Sequence, residues 1–245
     1  MYIIDFHSHI LPGIDDGARN LETSLAMLDM VKAYHADIML ATPHFYASRD
    51  RIDTFLERRE NARDALFAAM EEDSQSGYPA IRCGAEVAFF DGISKAKDIG
   101  RLTIEGTNIL LLEMPFTPWT DENLKEVEAL IHDRGFRVLI AHLERFLWMP
   151  GNKSQAAQLL TLPVTIQINA EAFEGSWLHT RALVRMFKEG KAHVLGTDCH
   201  GAHHRIPNLM QGRDFLKKKA GADILQGIDE QSSRFLLENE TLLPY

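Results

Sequence analysis

Apolar residues along this chain fall into two patterns. Seven short, mainly apolar runs are Tyr2–Phe6, Ile38–Ala41, Ala80–Ala85, Ile109–Leu112, Val138–Ala141, Thr165–Ile168 and Val194–Gly196. Runs this short, bounded by polar or turn residues, read as strands buried on both faces of a parallel sheet. Between them the apolar residues recur at helical spacing, as in Leu21, Leu25, Leu28 and Val31, or Leu124, Val127, Leu130 and Ile131. Arg49 to Met70 carries a stripe of Ile52, Phe55, Leu56, Ala62, Leu66, Phe67 and Met70 in an otherwise polar sequence, which predicts a helix with a solvated outer face. Thr120 ahead of Asp121 and Glu122 predicts a helix start, because its hydroxyl can accept from a free backbone N–H while the carboxylates face the positive end of the dipole.

This sustained alternation predicts an α/β fold, an irregular (β/α)7 barrel forming one domain over residues 1–245. Glu71 to Pro79 is rich in turn formers but too short for a domain linker, and there is no internal repeat. An open doubly wound sheet is the structural alternative.

The polar residues that end the runs carry the chemistry. Tyr2–Phe6 leads into His7 and His9, the next runs into His44, Glu86, Glu113, His142 and Asn169, and the last into Asp198 and His200. Parallel strands point the same way, so these groups should gather on one face of a barrel; an open sheet would concentrate its site at one switch point. In His7-x-His9 and Asp198-x-His200 the alternation of side chains puts both members of each pair on one side of the strand. With Asp15 and Asp16 in the first loop, nine or ten donors exceed the four to six that one ion takes, predicting two or three divalent cations. A set of nitrogen and oxygen donors suits manganese, iron or zinc. His35, His132 and His179 lie on helical segments, His193 stands at the wrong end of a strand, and His203 and His204, near the site in sequence, suit solvated or supporting roles at least as well as ligation.

Composition narrows the partners. The 245 residues carry a net charge of -9, which argues against coating nucleic acid or an anionic membrane. No stretch is long and apolar enough to span a bilayer, Asp5 interrupts what would be a signal peptide's apolar core, and Cys83 and Cys199 are too few for a disulfide framework. A cytoplasmic setting is the expectation. Trp119, Trp148 and Trp177 each follow a strand end, with Phe45 and Tyr46 after His44, which suggests an aromatic rim around the site.

The segments Asp5-Phe-His-Ser-His-Ile-Leu-Pro-Gly-Ile-Asp-Asp-Gly17, Ala41-Thr-Pro-His44, Gly84-Ala-Glu86, Leu112-Glu113, Ile140-Ala-His-Leu-Glu-Arg145 and Thr197-Asp-Cys-His200 together resemble the polymerase-and-histidinol-phosphatase (PHP) superfamily. Within it they resemble the bacterial manganese-dependent protein-tyrosine phosphatases of capsule and exopolysaccharide operons. The resemblance implies a PHP-type barrel with its active site at the C-terminal ends of the strands. It implies one metal on His7, His9, Glu86 and Asp198, a second on Glu86, Glu113 and His142, and a third on Asp16, His44 and His200, with Asp15 as the alternative to Asp16. It implies phosphate binding by Arg145 and Arg205, and hydrolysis of phosphotyrosine by a metal-activated hydroxide. The implied partner is a phosphotyrosine-bearing protein, the Tyr-rich tail of a bacterial tyrosine autokinase. The alternatives are a small-molecule phosphomonoesterase such as a histidinol phosphatase, a metal-stabilised accessory module without turnover, and amidohydrolase chemistry, which also uses H-x-H. A rival mechanism lies in the same loop, since Cys199 and Arg205 match the C-x5-R spacing of phosphatases that attack with a thiolate. Asp198 beside Cys199 opposes the low thiol pKa such chemistry needs.

Overall fold

The seven predicted runs become seven positions in one curled parallel sheet. The computed structural model describes residues 1–72 and 77–237, so the middle of the Glu71–Pro79 connector lies outside the described residues. The strands are β1 (Ile4–Ser8), β2 (Ile38–Ala41), β3 (His44–Phe45), β4 (Ala80–Cys83), β5 (Glu86–Ala88), β6 (Ile109–Glu113), β7 (Arg137–Ile140), β8 (Thr165–Asn169) and β9 (Val194–Gly196). Every pairing among them is parallel, in the orders β1-β2-β4 and β3-β5-β6-β7-β8-β9.

Two strand positions are broken: one beyond the Ile38–Ala41 run, which forms a strand over those residues, and one within the Ala80–Ala85 run that the sequence suggested was continuous. β2 passes into β3 through Thr42-Pro43, where proline has no N–H to give the ladder. β4 passes into β5 through Gly84-Ala85, where a Cβ on Gly84 would lie 2.4 Å from Cδ1 and 3.3 Å from Cα of the buried Ile104, so glycine allows the close approach without moving Ile104. Backbone bonds from Gly84 N to Ala41 O (2.9 Å) and Glu86 N to Pro43 O (3.0 Å) carry the pairing across both breaks. The curl brings β9 to β1: Ser8 bridges to Cys199, Asp198 N donates to His7 O at 2.7 Å, and His9 N donates to Cys199 O at 3.0 Å.

Ile4, Phe6, Ile38, Leu40, Ile109, Leu111, Leu139 and Val194 form one buried cluster drawn from strands all around the sheet, which makes it the barrel interior. Leu236 belongs to this cluster, and Phe235 packs its ring 6.1 Å from that of Phe6, so the last helix closes the end away from the strand C-termini. Each such side chain contributes about 1.5–3 kcal/mol when fully buried. The register of β1 slips between Asp5 and Ser8, placing Ser8 opposite Ala41, whose side chain packs outward with Met39. The bulge therefore lets Phe6 fill the interior while His7 and His9 also face inward above it.

The helices are α1 (Leu21–Ala33), α2 (Ile52–Glu72), α3 (Asp121–His132), α4 (Glu144–Leu147), α5 (Lys153–Leu159), α6 (Trp177–Lys188), α7 (Leu209–Ala220) and α8 (Ala222–Leu237). Thr120 caps α3 as expected, in a reciprocal pair with Asn123. α2 buries Phe55 and Leu66 and leaves its polar face in water. Among the described residues no helix is long and apolar enough to cross a membrane.

Candidate metal centre

At the C-terminal mouth of the barrel, β1 delivers His7 and leads to His9. β3 delivers His44, β5 Glu86 and β6 Glu113, while His142 follows β7 and Asp198 and His200 follow β9. Asp16 approaches from the loop after β1. All nine meet. Glu86 is the hub, with Oε1 2.8 Å from His142 Nε2 and Oε2 3.2, 3.3 and 2.8 Å from His7 Nε2, His9 Nε2 and His44 Nδ1. Asp198 Oδ1 lies 3.3 Å from His9 Nε2, Glu113 Oε1 lies 3.3 Å from His142 Nε2, and Asp16 Oδ1 lies 3.6 Å from both His44 Nε2 and His200 Nε2.

Four overlapping groups have ligand atoms within 4.8 Å of one another: His7, His9 and Asp198; His7, Glu86 and His142; His44, Glu86 and Glu113; and His9, Asp16, His44 and His200. Glu86 Oε2, His44 Nδ1 and His200 Nε2 are buried yet make no directed hydrogen bond among the described residues. Burying such lone pairs is costly unless something satisfies them, and lone pairs converging on a common centre fit a divalent cation.

The electrostatics agree. Burial alone would lower the pKa of His9, but the carboxylates of Asp15, Asp198 and Glu86 around it raise it well above the usual imidazole value. His142 likewise overcomes its burial through Glu113 and Glu86 and rises to about 10. Burial would raise Glu86, but His7, His142 and His44 hold it well below the usual carboxylate range. Burial and the charge on His9 push His200 down to about 4. Carboxylates that hold protons on neighbouring imidazoles attract a metal to the same lone pairs, so metal binding would release protons. His142 (φ 29°), Asp198 (φ 52°) and Arg205 (φ 49°) are left-handed, a strained conformation that clusters at working sites.

A supporting layer fixes these groups, and sequence reasoning missed most of it. Asp15 Oδ2 lies 2.7 Å from His9 Nδ1 and accepts from His44 N at 2.9 Å, so Asp15 aims His9 Nε2 at the centre while the exposed Asp16 stands beside His44 and His200. Gln167 Oε1 accepts from His142 N at 2.7 Å and faces His7 Nδ1 at 3.3 Å. Gln167 Nε2 donates to Asn169 Oδ1 at 2.7 Å, and Asn169 Nδ2 donates to Asp198 Oδ2 at 3.0 Å. Asp5 accepts from Thr197 N (2.8 Å) and Thr197 Oγ1 (2.7 Å), tying β1 to the loop that carries Asp198, and burial pushes its pKa up to about 6. The one available signal was a lone polar residue inside an apolar run, as Asp5 and Gln167 both are.

A family model described as capsular polysaccharide synthesis, CpsB/CapC, matches residues 3–238. The chain belongs to the CpsB/CapC family. Tyrosine-protein phosphatase CpsB of Streptococcus agalactiae serotype V is 24% identical over 89% of this chain and 93% of its own length. Tyrosine-protein phosphatase CpsB of Streptococcus pneumoniae is 26% identical over 90% and 92%. A crystal structure from a study of YwqE of Bacillus subtilis and CpsB of Streptococcus pneumoniae, described there as metal-dependent tyrosine phosphatases, superposes on 98% of this chain and 96% of that chain with a TM-score of 0.81 at 22% identity. At that identity the likeness speaks for the fold, and it is the PHP-type barrel read from the sequence.

In this CpsB/CapC member the two arginines converge on one carboxylate: Arg145 Nη2 and Arg205 Nη2 each lie 2.6 Å from Asp198 Oδ2. Cys199 sits differently. It is fully buried among Ile10, Leu11, Met27 and Cys83, and burial followed by the Asp5 charge pushes its thiol well above the ordinary value. That environment opposes the thiolate reading of C-x5-R.

The aromatic rim needs correction. Trp119 is buried, with Nε1 donating to Pro115 O at 3.0 Å and its ring 5.4 Å from Phe146, and Phe45 is buried against Phe55; both are core because the apolar layer outside the sheet extends beneath these loops. Trp148 stacks on His179 at 4.0 Å and Trp177 is exposed on α6. The buried Phe146 ring lies 5.7 Å from that of His142, and the rings near the candidate ligands that also reach solvent are the half-buried Tyr46, 5.2 Å from the His44 ring, and the exposed Phe116, 6.2 Å from that of His142. Phe116 follows Glu113 closely enough to have been found by the rule used for the tryptophans. His193 accepts from Ile166 N at 2.9 Å through Nδ1, in keeping with its place away from the mouth.

Proposed function

We infer that this chain is a metal-dependent protein-tyrosine phosphatase that hydrolyses phosphotyrosine on a bacterial tyrosine kinase of capsule or exopolysaccharide synthesis. The observation that carries this reading is the pairing of a converged nitrogen and oxygen donor set with two guanidiniums at its edge. The relatives named above, both tyrosine-protein phosphatases, support the substrate class. His7, His9, Glu86 and Asp198 would hold one cation, Glu86, Glu113 and His142 a second, and Asp16, His44 and His200 a third. Manganese fits this thiolate-free set, with iron or zinc as substitutes. Bound divalent ions supply Lewis acidity, lowering the pKa of water from about 15.7 toward about 7.

The chain's own residues do the rest. Arg145 and Arg205 bind the phosphoryl oxygens, and their planar donors favour that group over a neutral one. Asp198, contacted by both guanidiniums, keeps the phosphate subsite in register with the ligand cluster. Phe116 and Tyr46 offer ring faces to the tyrosyl group. Burial, with Glu113 and Glu86 nearby, pushes the Tyr46 hydroxyl up to about 12, so it remains a hydrogen-bond donor. A phenolic leaving group with a pKa of about 10 departs without a strong acid, which favours aryl over alkyl phosphates. The free, buried Cys83 and Cys199 suit a reducing cytoplasm, where a kinase tail would meet the enzyme.

The test is metal analysis of the purified protein together with phosphate release from a phosphotyrosyl peptide and from histidinol phosphate, before and after chelation. Release from the peptide should exceed that from histidinol phosphate in kcat/KM, disappear on chelation and return with manganese. Preference for histidinol phosphate, or turnover indifferent to chelation, would overturn the reading.

A further inference from the structure

Along the length of α6, that helix and α7 enclose a groove of about 630 Å³ that carries Arg181, Arg185, Lys188 and Lys219 over an apolar floor including Phe215. Its lining contains no carboxylate among the described residues. In a chain of net charge -9 such a cluster stands out. Trp177 and Leu178 are 67% and 70% exposed at one end of it. The Arg181 guanidinium lies 5.3 Å from the Trp177 ring centroid and Lys219 Nζ lies 6.0 Å from that of Phe215, so these cations are engaged by ring faces and not by acids. Among the described residues, only Arg185 of these four forms an ion pair, with Glu189 at 3.6 Å, which Lys191 also engages at 2.8 Å.

One end of the groove lies at the barrel mouth. α6 begins just after the 3-10 turn Ala170–Glu174 that follows β8, so its first residues lie at the same barrel mouth as the ligands. A second cleft of about 400 Å³ includes Arg145, Trp148, Glu171, Glu174 and His179. Arg145 contacts Asp198 at one side of this cleft, and its His179 and Leu183 stand on the side of α6 opposite Arg181 and Arg185, so the helix separates this cleft from the groove.

We propose that the α6–α7 groove docks an acidic segment of the polypeptide whose phosphotyrosine occupies the metal centre. This rests on the phosphatase reading and adds a determinant of substrate choice to it. Charge complementarity selects the occupant: four cations without acidic lining attract carboxylates, while Trp177 and Phe215 cover apolar stems between them. The cleft at Arg145 carries Glu171 and Glu174, which repel carboxylates next to the phosphotyrosine. The acidic block is therefore set back from the phosphorylated residue.

The test uses the triple variant Arg181→Gln, Arg185→Gln, Lys188→Gln, whose three positions are exposed and outside the catalytic machinery. Turnover of free phosphotyrosine and of a neutral phosphopeptide should be unchanged, with KM for a peptide carrying a set-back acidic block raised about tenfold. That preference should fade with added salt in the wild type. Fluorescence anisotropy of a labelled, unphosphorylated acidic peptide reads the groove independently of catalysis. Binding in the wild type and its loss in the triple variant would uphold the groove even if the chain hydrolysed no aryl phosphate, an outcome that would sink the phosphatase reading alone. Equal KM values with equal anisotropy would overturn the proposal. So would capture of phosphatidylserine vesicles by the wild type without peptide binding.

Discussion

Gln167→Met keeps the length of a buried side chain and removes its donors and acceptor. The glutamine accepts from His142 N and donates to Asn169 Oδ1, both at 2.7 Å, and all three residues are buried. Methionine leaves that N–H and that oxygen unpartnered, at about 1–3 kcal/mol each, for a total of about 2–6 kcal/mol. Against a typical stability of about 5–15 kcal/mol this is large. With an m-value of about 3 kcal/mol/M, the urea midpoint of the metal-free protein should fall by roughly 0.7–2 M. The same change releases His7, whose Nδ1 faces Gln167 Oε1 at 3.3 Å and whose Nε2 must face the ligand cluster. Loss of such an outer partner costs about 10–100-fold in metal affinity. Urea unfolding followed by circular dichroism, and calorimetric titration with manganese, measure the two effects separately. A variant that binds manganese as tightly as the wild type would refute the claim that Gln167 orients His7. An unmoved urea midpoint would refute the network itself.

Asp15→Asn and Asp16→Asn should differ in kind: the first weakens manganese affinity about 10–100-fold with stoichiometry retained, because Asp15 holds His9, whereas the second lowers the stoichiometry measured by metal analysis. Identical outcomes would erase the distinction drawn between them. Cys199→Ala should retain phosphotyrosine turnover, and the native thiol should resist iodoacetamide, since Cys199 is fully buried; inactivity with metal content intact would restore the thiolate mechanism. His193 must be neutral at Nδ1 to accept from Ile166 N, and burial lowers its pKa below the usual imidazole value. The stability it contributes is full above the unfolded pKa of about 6.5 and declines as pH falls toward the depressed folded value. Urea midpoints at pH 7.5 and 5.5 should therefore fall further in the wild type than in His193→Gln, and equal declines would contradict this.

Much of this protein was legible from local pattern. Strand and helix periodicity depends on neighbouring residues, so the seven runs, the Thr120 cap and the α2 stripe could be read directly. Parallel strands also share a direction, which is why the nine ligand-type residues at their ends could be expected to meet. What the pattern did not contain was identity of partner. The bulge between Asp5 and Ser8, and the breaks at Pro43 and Gly84, arise where the curl of the sheet must satisfy packing and pairing together. Asp15 and Asp16 are adjacent carboxylates, and only the path of the loop gives one to His9 and leaves the other beside His44 and His200. Trp119 satisfied the same loop rule as Trp148, yet burial separates them. Gln167 reaches His7 across 160 positions of sequence, and the cations of α6 meet Lys219 of α7 in one groove. Sequence by itself determined which residue types stand at each strand end, because that follows from periodicity within a few residues. Only closure of the barrel decided which of them touch, because side-chain hydrogen bonds depend on ångström-scale distances between segments that the chain connects only through the whole fold.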